Sequence, residues 1–164
     1  MAIYKLKTFA RFARSQDISK QSLREAIELA ARGLVDADLR GGLIKPRVTR
    51  KGQGRRGGYR VMVAIRSADF AVFLIGFAKS AQDNLDDRQL NILRGFAAAW
   101  LSADAATIKR AVEQGGTRRG AEMTKQTKQA FDDRFALEMT ETADGMRRIG
   151  AMDETAHKLH YARP

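Results

Sequence analysis

The chain of 164 residues contains no cysteine, two prolines, two histidines and a single tryptophan. The absence of cysteine excludes disulfide bonds, thiolate zinc sites and thiol chemistry, and it is consistent with a cytoplasmic protein. The histidines, His157 and His160, both lie near the C-terminus. This placement argues against a histidine-based metal site and against a Ser-His-Asp triad. We therefore expect neither a metal ion nor an organic cofactor.

Long apolar segments are also missing. The longest apolar run occupies Phe70–Ala78, whereas a helix that spans a bilayer needs about 20 apolar residues. Lys5, Lys7 and Arg11 interrupt the N-terminal segment, so we expect no signal peptide. These features predict a cytoplasmic protein that makes no membrane contact.

Acidic residues are scarce in the first half of the chain. Residues 1–80 carry 17 Lys and Arg against 6 Asp and Glu, whereas residues 81–164 carry 13 of each kind. The densest basic stretch, at residues 40–60, reads RGGLIKPRVTRKGQGRRGGYR and contains eight basic residues, six glycines and no acidic residue. Such a local cluster indicates a surface for a polyanion, and nucleic acid is the first candidate. The alternative is a solvated surface loop.

The apolar pattern of the first 103 residues predicts a small α+β domain. Two helices are expected within residues 4–33, the second with Ser19 as its N-cap. The expected strands lie at residues 43–50, Tyr59–Arg66 and Phe70–Ala78, with a hairpin turn at residues 67–69. Pro46 makes the first of them an edge or bulged strand.

A helix capped by Asp86 closes this domain, and Trp100 is expected to pack in its apolar stripe. The predicted architecture is therefore two N-terminal helices on an antiparallel sheet of three to four strands, followed by the closing helix. We expect the helices to lie on one face of that sheet.

Beyond the first domain, residues 104–125 are expected to form a short helix at Ala105–Gln114 and then a glycine-rich linker. Residues 126–164 are expected to form a helical extension. Its apolar stripe recurs every three or four positions and comprises Phe131, Phe135, Met139, Ala143, Met146 and Ile149. About 40 residues cannot bury such a stripe alone, so the helix must pack on the first domain or on a partner, for example in a dimer.

The run from Gly41 to Arg60, followed by GFAKS at residues 76–80, resembles the HigB-like branch of the RelE/ParE toxins. These proteins are the toxic halves of bacterial type II toxin–antitoxin systems. The resemblance covers about residues 3–103 and implies a RelE-like fold. It also implies ribosome-dependent cleavage of mRNA, in which a ribose 2′-OH attacks the adjacent phosphate without a metal ion. The implied partners are mRNA, the ribosome with its rRNA, and a cognate antitoxin.

The segment EMTETADGMRRIGAMD, at residues 138–153, is similar to the N-terminal part of the helix-turn-helix antitoxins encoded beside these toxins. The similarity implies a toxin fused to a truncated antitoxin, with Met123 near the start of the antitoxin part. Asp132, Asp133, Glu138 and Glu141 place acidic groups along this helix. We expect the helix to lie across the basic site or against the first domain as a tethered inhibitor, or merely to pack.

Four basic residues are the candidate catalytic residues. Lys45 and Arg47 share one face of a strand, Arg60 opens the facing strand, and Lys79 ends the third. We expect these four side chains to converge on one phosphate, as the basic residues of the family do. Arg47 and Arg60 are assigned to phosphate stabilisation, and either Lys45 or Lys79 to the base that accepts the 2′-OH proton.

Further candidates for nucleic-acid contacts are Arg50, Lys51, Arg55, Arg56 and Tyr59. The first four belong to the loop and are expected to contact the RNA backbone, whereas Tyr59 either stacks on a base or packs within its strand. No general acid is evident in the sequence. Two other functions therefore stay open: inhibition of DNA gyrase, as in ParE-like toxins, and a binding adaptor without catalytic activity.

Overall fold

The computed structural model describes residues 1–49, 58–66, 70–79, 84–114 and 128–152. In the described residues there are six strands: β1 Ala2–Lys5, β2 Ala37–Asp38, β3 Leu43–Lys45, β4 Arg47–Val48, β5 Tyr59–Arg66 and β6 Phe70–Ala78. They also contain five helices: α1 Lys7–Ser15, α2 Lys20–Ala31, α3 Asp87–Ser102, α4 Ala105–Gln114 and α5 Lys128–Arg148. The predicted turn at residues 67–69 and the predicted linker at residues 115–125 lie outside the described residues.

The six strands form one sheet in the order β1-β6-β5-β3-β2, with β4 also paired to β5. Strand β1 runs parallel to β6, and the other pairs are antiparallel. Pro46 separates β3 from β4, because proline has no N–H to donate to a neighbouring strand. The predicted α+β fold, with its closing helix and helical extension, is confirmed. The sheet differs in detail from the antiparallel one of three to four strands that was predicted, because the parallel strand β1 and the two-residue strands β2 and β4 add to it.

Local capping signals in the sequence correctly mark two helix starts. The Ser19 hydroxyl accepts a hydrogen bond from the Ser22 backbone N–H at 3.0 Å and begins α2. Asp86 and Gln89 form a reciprocal capping box at the start of α3, with bonds of 2.8 and 3.0 Å. Such bonds satisfy backbone N–H groups that the first helical turn leaves without partners.

Helices cover both faces of the sheet, so the prediction that they share one face was wrong. Side chains of α1 and α2 pack with Val61, Val63 and Phe73, whereas those of α3, α4 and α5 pack with the opposite face around Met62 and Val72. The physical reason is that the central strands β5 and β6 are apolar on both sides. Such uninterrupted apolar runs are typical of strands covered on both faces.

Glycine at position 76 allows α1 to approach β6 closely. A Cβ atom built at Gly76 would collide with the aromatic ring of Phe12. The glycine of the GFAKS sequence therefore has a packing role in this fold.

Helix α5 packs on the first domain, in agreement with the first of the two arrangements predicted for its apolar stripe. All six stripe residues are buried. The ring of Phe131 packs edge-on against Phe77 of β6, with the ring centroids 5.1 Å apart. The stripe that suggested a dimer is therefore occupied within the chain.

The same helix protects an edge of the sheet. Strand β1 pairs with residues 70–73 of β6. Farther along β6, an Nη atom of Arg134 donates a hydrogen bond to the carbonyl oxygen of Gly76 at 2.6 Å. Exposed strand edges invite pairing with other chains, and α5 covers this one. No helix in the described part of the chain has the length and apolar character needed to cross a membrane.

Candidate functional site

The strand register places the candidate arginines side by side. Arg47 lies directly opposite Arg60, and Arg60 lies directly opposite Phe77. Residues opposite each other on neighbouring strands point to the same face of a sheet. Lys45 precedes Arg47 by two residues, and Lys79 follows Phe77 by two residues. These candidates therefore lie at the end of the sheet face that α3 and α5 cover.

The two guanidinium groups meet at one carboxylate, that of Asp36. Arg60 donates from Nη1 to Asp36 Oδ2 at 2.8 Å. Arg47 approaches Asp36 Oδ1 with Nη2 at 3.1 Å and Oδ2 with Nε at 3.4 Å. The Asp36 backbone N–H in turn donates to the Lys45 carbonyl oxygen at 3.0 Å. Two guanidinium groups that converge on a carboxylate have an arrangement that also suits the oxygens of a phosphate.

Burial distinguishes the two arginines. The Arg60 side chain is 13 % exposed, whereas that of Arg47 is 40 % exposed. Gly58 allows β4 to come close to β5, since a Cβ at this position would lie 2.7 Å from the Val48 carbonyl oxygen and 3.2 Å from Arg47 Cγ. Two glycines precede Tyr59 in the basic motif. The second of them, Gly58, is thus explained by the close approach of β4 to β5.

The two candidate lysines are positioned differently from the arginines. Lys45 Nζ donates to the side-chain oxygen of Asn84, just before α3, at 3.1 Å. Lys79 is exposed and follows β6 directly. The structure thus brings Arg47 and Arg60 to a shared carboxylate and directs Lys45 towards the start of α3. Convergence of all four cations on one phosphate stays a prediction.

Tyr59 lies in the core, on the sheet face opposite to Arg60. Its side chain is buried, its ring packs edge-on against Phe12 with centroids 5.6 Å apart, and its hydroxyl donates to Gln16 Oε1 at 2.9 Å. Of the two roles considered for this ring, packing is the one found, and its burial leaves no ring face for a base. The other predicted nucleic-acid contacts, Arg50, Lys51, Arg55 and Arg56, lie outside the described residues.

The first turn of α5 packs on the cross-strand neighbour of Arg60. Phe131 packs on Phe77, which is the neighbour of Arg60 across the strands. Asp132 accepts a hydrogen bond from Gln89 of α3 at 3.0 Å. Helix α5 therefore packs against the first domain near Arg60, and the partner found for Asp132 belongs to α3.

A second charged cluster joins α5 to α1. Arg11 donates two hydrogen bonds to the Glu141 carboxylate, at 3.1 and 2.5 Å, and Lys7 lies 3.5 Å from it. The hydrogen bonds from Arg11 lower the pKa of Glu141. One turn earlier, Glu138 is 7 % exposed and lies 3.6 Å from Arg134. Burial raises the pKa of Glu138 to about 7, although the nearby Arg134 and Arg11 oppose this shift.

The raised pKa of Glu138 predicts a loss of stability as the pH rises. An unfolded glutamate releases its proton near pH 4.5, whereas folded Glu138 keeps it to about pH 7. The stability that protonated Glu138 contributes is fully present below pH 4.5 and is lost as the pH rises to about 7. This loss lowers the free energy of unfolding by up to about 3 kcal/mol. Urea unfolding at pH 5 and pH 8 should show this loss in the parent protein. The Glu138→Gln variant, which does not titrate, should show a flatter pH dependence, and an unchanged dependence would assign it to other groups.

Sequence reasoning missed Asp36 as a member of this site. The residue lies before the basic stretch, and its distance of 11 residues from Arg47 carries no recognisable spacing. The one available signal was a pair of acidic residues, Asp36 and Asp38, just ahead of a cationic segment. No cluster of three or more His, Asp or Glu residues suited to a metal ion occurs in the described ranges of the chain.

Comparison with known proteins places the chain in a family. Curated proteins give no match to it. The family model for the RelE toxin of the RelE / RelB toxin-antitoxin system matches residues 1–118. This range contains β1 through α4 and includes Asp36 and all the candidate basic residues. The chain therefore belongs to the RelE toxin family, and it is a toxin of a toxin–antitoxin system.

Proposed function

We propose that this toxin is a ribosome-dependent mRNA endoribonuclease of the HigB-like branch. The observation that carries the proposal is the convergence of Arg47 and Arg60 on one anionic group, the Asp36 carboxylate. In the complex with RNA, the phosphate that is cleaved lies beside these two guanidinium groups. The partly buried Arg60 and the more exposed Arg47 then approach it from two neighbouring strands.

The proposed reaction needs no metal ion, because the two arginines supply positive charge. A base removes the proton of the ribose 2′-OH, and the 2′-oxygen attacks the adjacent phosphorus. The bond from phosphorus to the 5′-oxygen breaks, and that oxygen takes a proton. The products are a 2′,3′-cyclic phosphate and a free 5′-OH. Arg47 and Arg60 stabilise the extra negative charge of the pentacoordinate state, and Lys45 or Lys79 is the candidate base.

Asp36 has a positioning role in this proposal. Like charges directly opposite each other on neighbouring strands repel and destabilise the pair. The Asp36 carboxylate lies between Arg47 and Arg60 and offsets the repulsion between their charges while the site is free of RNA. It also fixes the direction from which both guanidinium groups approach a phosphate.

Induced expression of the full chain tests the proposal. We expect growth arrest together with new mRNA ends that carry a 5′-OH, and the same cuts in mRNA on purified ribosomes incubated with the protein. Growth arrest with broken or relaxed DNA and intact mRNA would instead indicate a gyrase inhibitor. No growth arrest and no cuts would indicate an adaptor without catalytic activity.

We further propose that the C-terminal extension restrains the toxin. The proposed units are a toxin domain at residues 1–103, a helix and linker at residues 104–125, and an antitoxin-like extension at residues 126–164. The packing of Phe131 on Phe77 supports this restraint, because Phe77 is the cross-strand neighbour of Arg60 and the packing therefore places the start of α5 close to that arginine. The pair of Glu141 and Arg11 holds α5 farther along. A free antitoxin would compete with this tethered helix for the same surface.

A further inference from the structure

Helix α1 carries a stripe of positive charge on its outer side. Lys7, Arg11 and Arg14 follow one another at spacings of four and three residues, which places them on one side of the helix. The residues of α1 that are buried are centred on the opposite side. The helix contains no acidic residue, so this stripe has no compensating charge within α1 itself.

Lys5 and Lys20 extend the positive charge beyond the helix. Side chains alternate along a strand, so Lys5 of β1 shares a face with Ile3, which packs with the side chains of α1 and α2. Lys20 is the first residue of α2. Partial burial and the charges of Lys20 and Arg14 lower the pKa of Lys5. The three cations Lys5, Arg14 and Lys20 are therefore close enough to repel one another.

Two cations of the stripe are engaged in the docking of α5. Arg11 donates two hydrogen bonds to the Glu141 carboxylate, and Lys7 forms an ion pair with the same group. While α5 is docked, Arg11 and Lys7 are therefore not free to hold another molecule.

The other three cations have no such partner. In the ranges that the structure describes, Lys5, Arg14 and Lys20 are exposed and form no ion pair. Asp17 is the one acidic residue of the connection between α1 and α2. Like charges that lie close together destabilise the free protein, and an anion that binds among them removes this repulsion. Lys5, Arg14 and Lys20 thus form a positive surface, the α1 surface, that suits an extended anion.

The α1 surface and the arginine pair lie on opposite sides of the sheet. Helices α1 and α2 cover the face around Val61 and Val63, whereas Arg47 and Arg60 lie on the face that α3 and α5 cover. The α1 surface therefore meets a different part of a nucleic-acid partner than the phosphate at the arginine pair.

We propose that the α1 surface binds the phosphate backbone of ribosomal RNA. Arg14 presents a planar fork of donors to phosphate oxygens, and the two lysines act as compact point charges. Such contacts release counterions and do not depend on base sequence. The choice of ribosomal RNA rests on the proposed function, because that function places the toxin on the ribosome. A contact on the far side of the sheet then holds the protein while the arginine pair faces mRNA.

Binding of the full chain to purified ribosomes that carry no mRNA tests this proposal. Co-sedimentation at a series of salt concentrations gives both the affinity and its salt dependence. Lys5→Gln combined with Arg14→Gln should weaken binding about tenfold at about 0.1 M salt and reduce the slope of log affinity against log salt by about 1.5, since each lost phosphate contact removes roughly 0.7 to 0.9 from that slope. Lys20→Gln alone should reduce the slope by about 0.8.

A second pair of substitutions provides a control with the same change of charge. Arg24→Gln combined with Arg32→Gln removes two exposed cations in and directly after α2 and should leave the affinity within about threefold of the parent. Equal losses in the two double variants would show that total charge controls binding, and the assignment of the α1 surface would be wrong. Failure of the parent protein to bind ribosomes would overturn it as well.

The result does not depend on cleavage, because these ribosomes offer no mRNA. If the protein cuts no mRNA and the Lys5 and Arg14 double variant still loses binding, the α1 surface is supported and the nuclease is contradicted. If the protein cuts mRNA and that variant binds as well as the control, the nuclease is supported and the α1 surface is contradicted.

Discussion

Alanine at Arg60 is expected to reduce mRNA cleavage on ribosomes by about 10²- to 10³-fold, which is the loss typical when one preorganised donor to a developing negative charge is removed. Arg60 is the better buried of the two arginines, and its contact with Asp36, at 2.8 Å, is the shortest in the group. Growth arrest should disappear together with the new 5′-OH ends. The measurement is the rate of cleavage of mRNA on purified ribosomes.

An arginine outside the site provides a control for the effect of the total positive charge of the protein. Arg24 is exposed on α2, far in sequence from the basic motif, and Arg24→Ala removes the same charge. We expect cleavage by Arg24→Ala to stay within about threefold of the parent, because an exposed cation away from the site contributes through long-range attraction, which salt screens. Equal losses in the two variants would show that total positive charge, and not the arginine pair, controls activity.

Conservative substitutions at Arg60 and Asp36 test how side-chain geometry and charge each contribute to cleavage. Arg60→Lys keeps the charge and loses the planar fork, so partial recovery relative to alanine is expected. Asp36→Asn keeps the shape of the side chain and removes the negative charge between the arginines. If Asp36 positions Arg47 and Arg60, this variant should lower the maximal cleavage rate more than the affinity for ribosomes. Tighter RNA binding with unchanged cleavage would instead make Asp36 a competitor of phosphate.

The parts of the fold that depend on local sequence could be predicted, and the parts that depend on distant pairing could not. Ser19 and Asp86 mark helix starts because a capping side chain bonds within its own first turn. Strand β1 pairs in parallel with β6, more than 60 residues away, and nothing in its four residues indicates that partner. The apolar residues of β5 and β6 face both sides of the sheet, and this composition alone indicates burial on both faces.

The site also combines residues that the local sequence predicts with residues that only the folded chain brings together. The basic motif predicted Arg47 and Arg60 together, because one lies on each strand of an antiparallel pair joined by a short segment. Asp36 enters through the connection between α2 and β2, and only the folded chain places its carboxylate between the two guanidinium groups. The partner of Glu141 was hidden for the same reason, since Arg11 lies 130 residues away in sequence.

Alanine at Phe131 is expected to lower the free energy of unfolding by about 3–5 kcal/mol, which is typical for a phenylalanine removed from a core. The Phe131 ring is fully buried and contacts Phe77 and Phe135, with centroid distances of 5.1 and 6.1 Å. Because this ring fixes the first turn of α5 near Arg60, its removal should also give mRNA easier access to Arg47 and Arg60. We expect faster hydrogen exchange in α5 and faster mRNA cleavage per folded molecule.

Two further variants separate release of the helix from loss of the fold. Leu137→Ala removes an apolar side chain from the same helix at a position that is 69 % exposed, and both stability and cleavage should stay close to those of the parent. Arg11→Gln keeps the core intact and removes the hydrogen bonds to Glu141, so it loosens α5 without opening a cavity. If α5 restrains the toxin, Arg11→Gln increases cleavage while the protein stays folded. If cleavage falls or does not change in this variant, α5 is a structural part of the domain, and the restraint proposal is wrong.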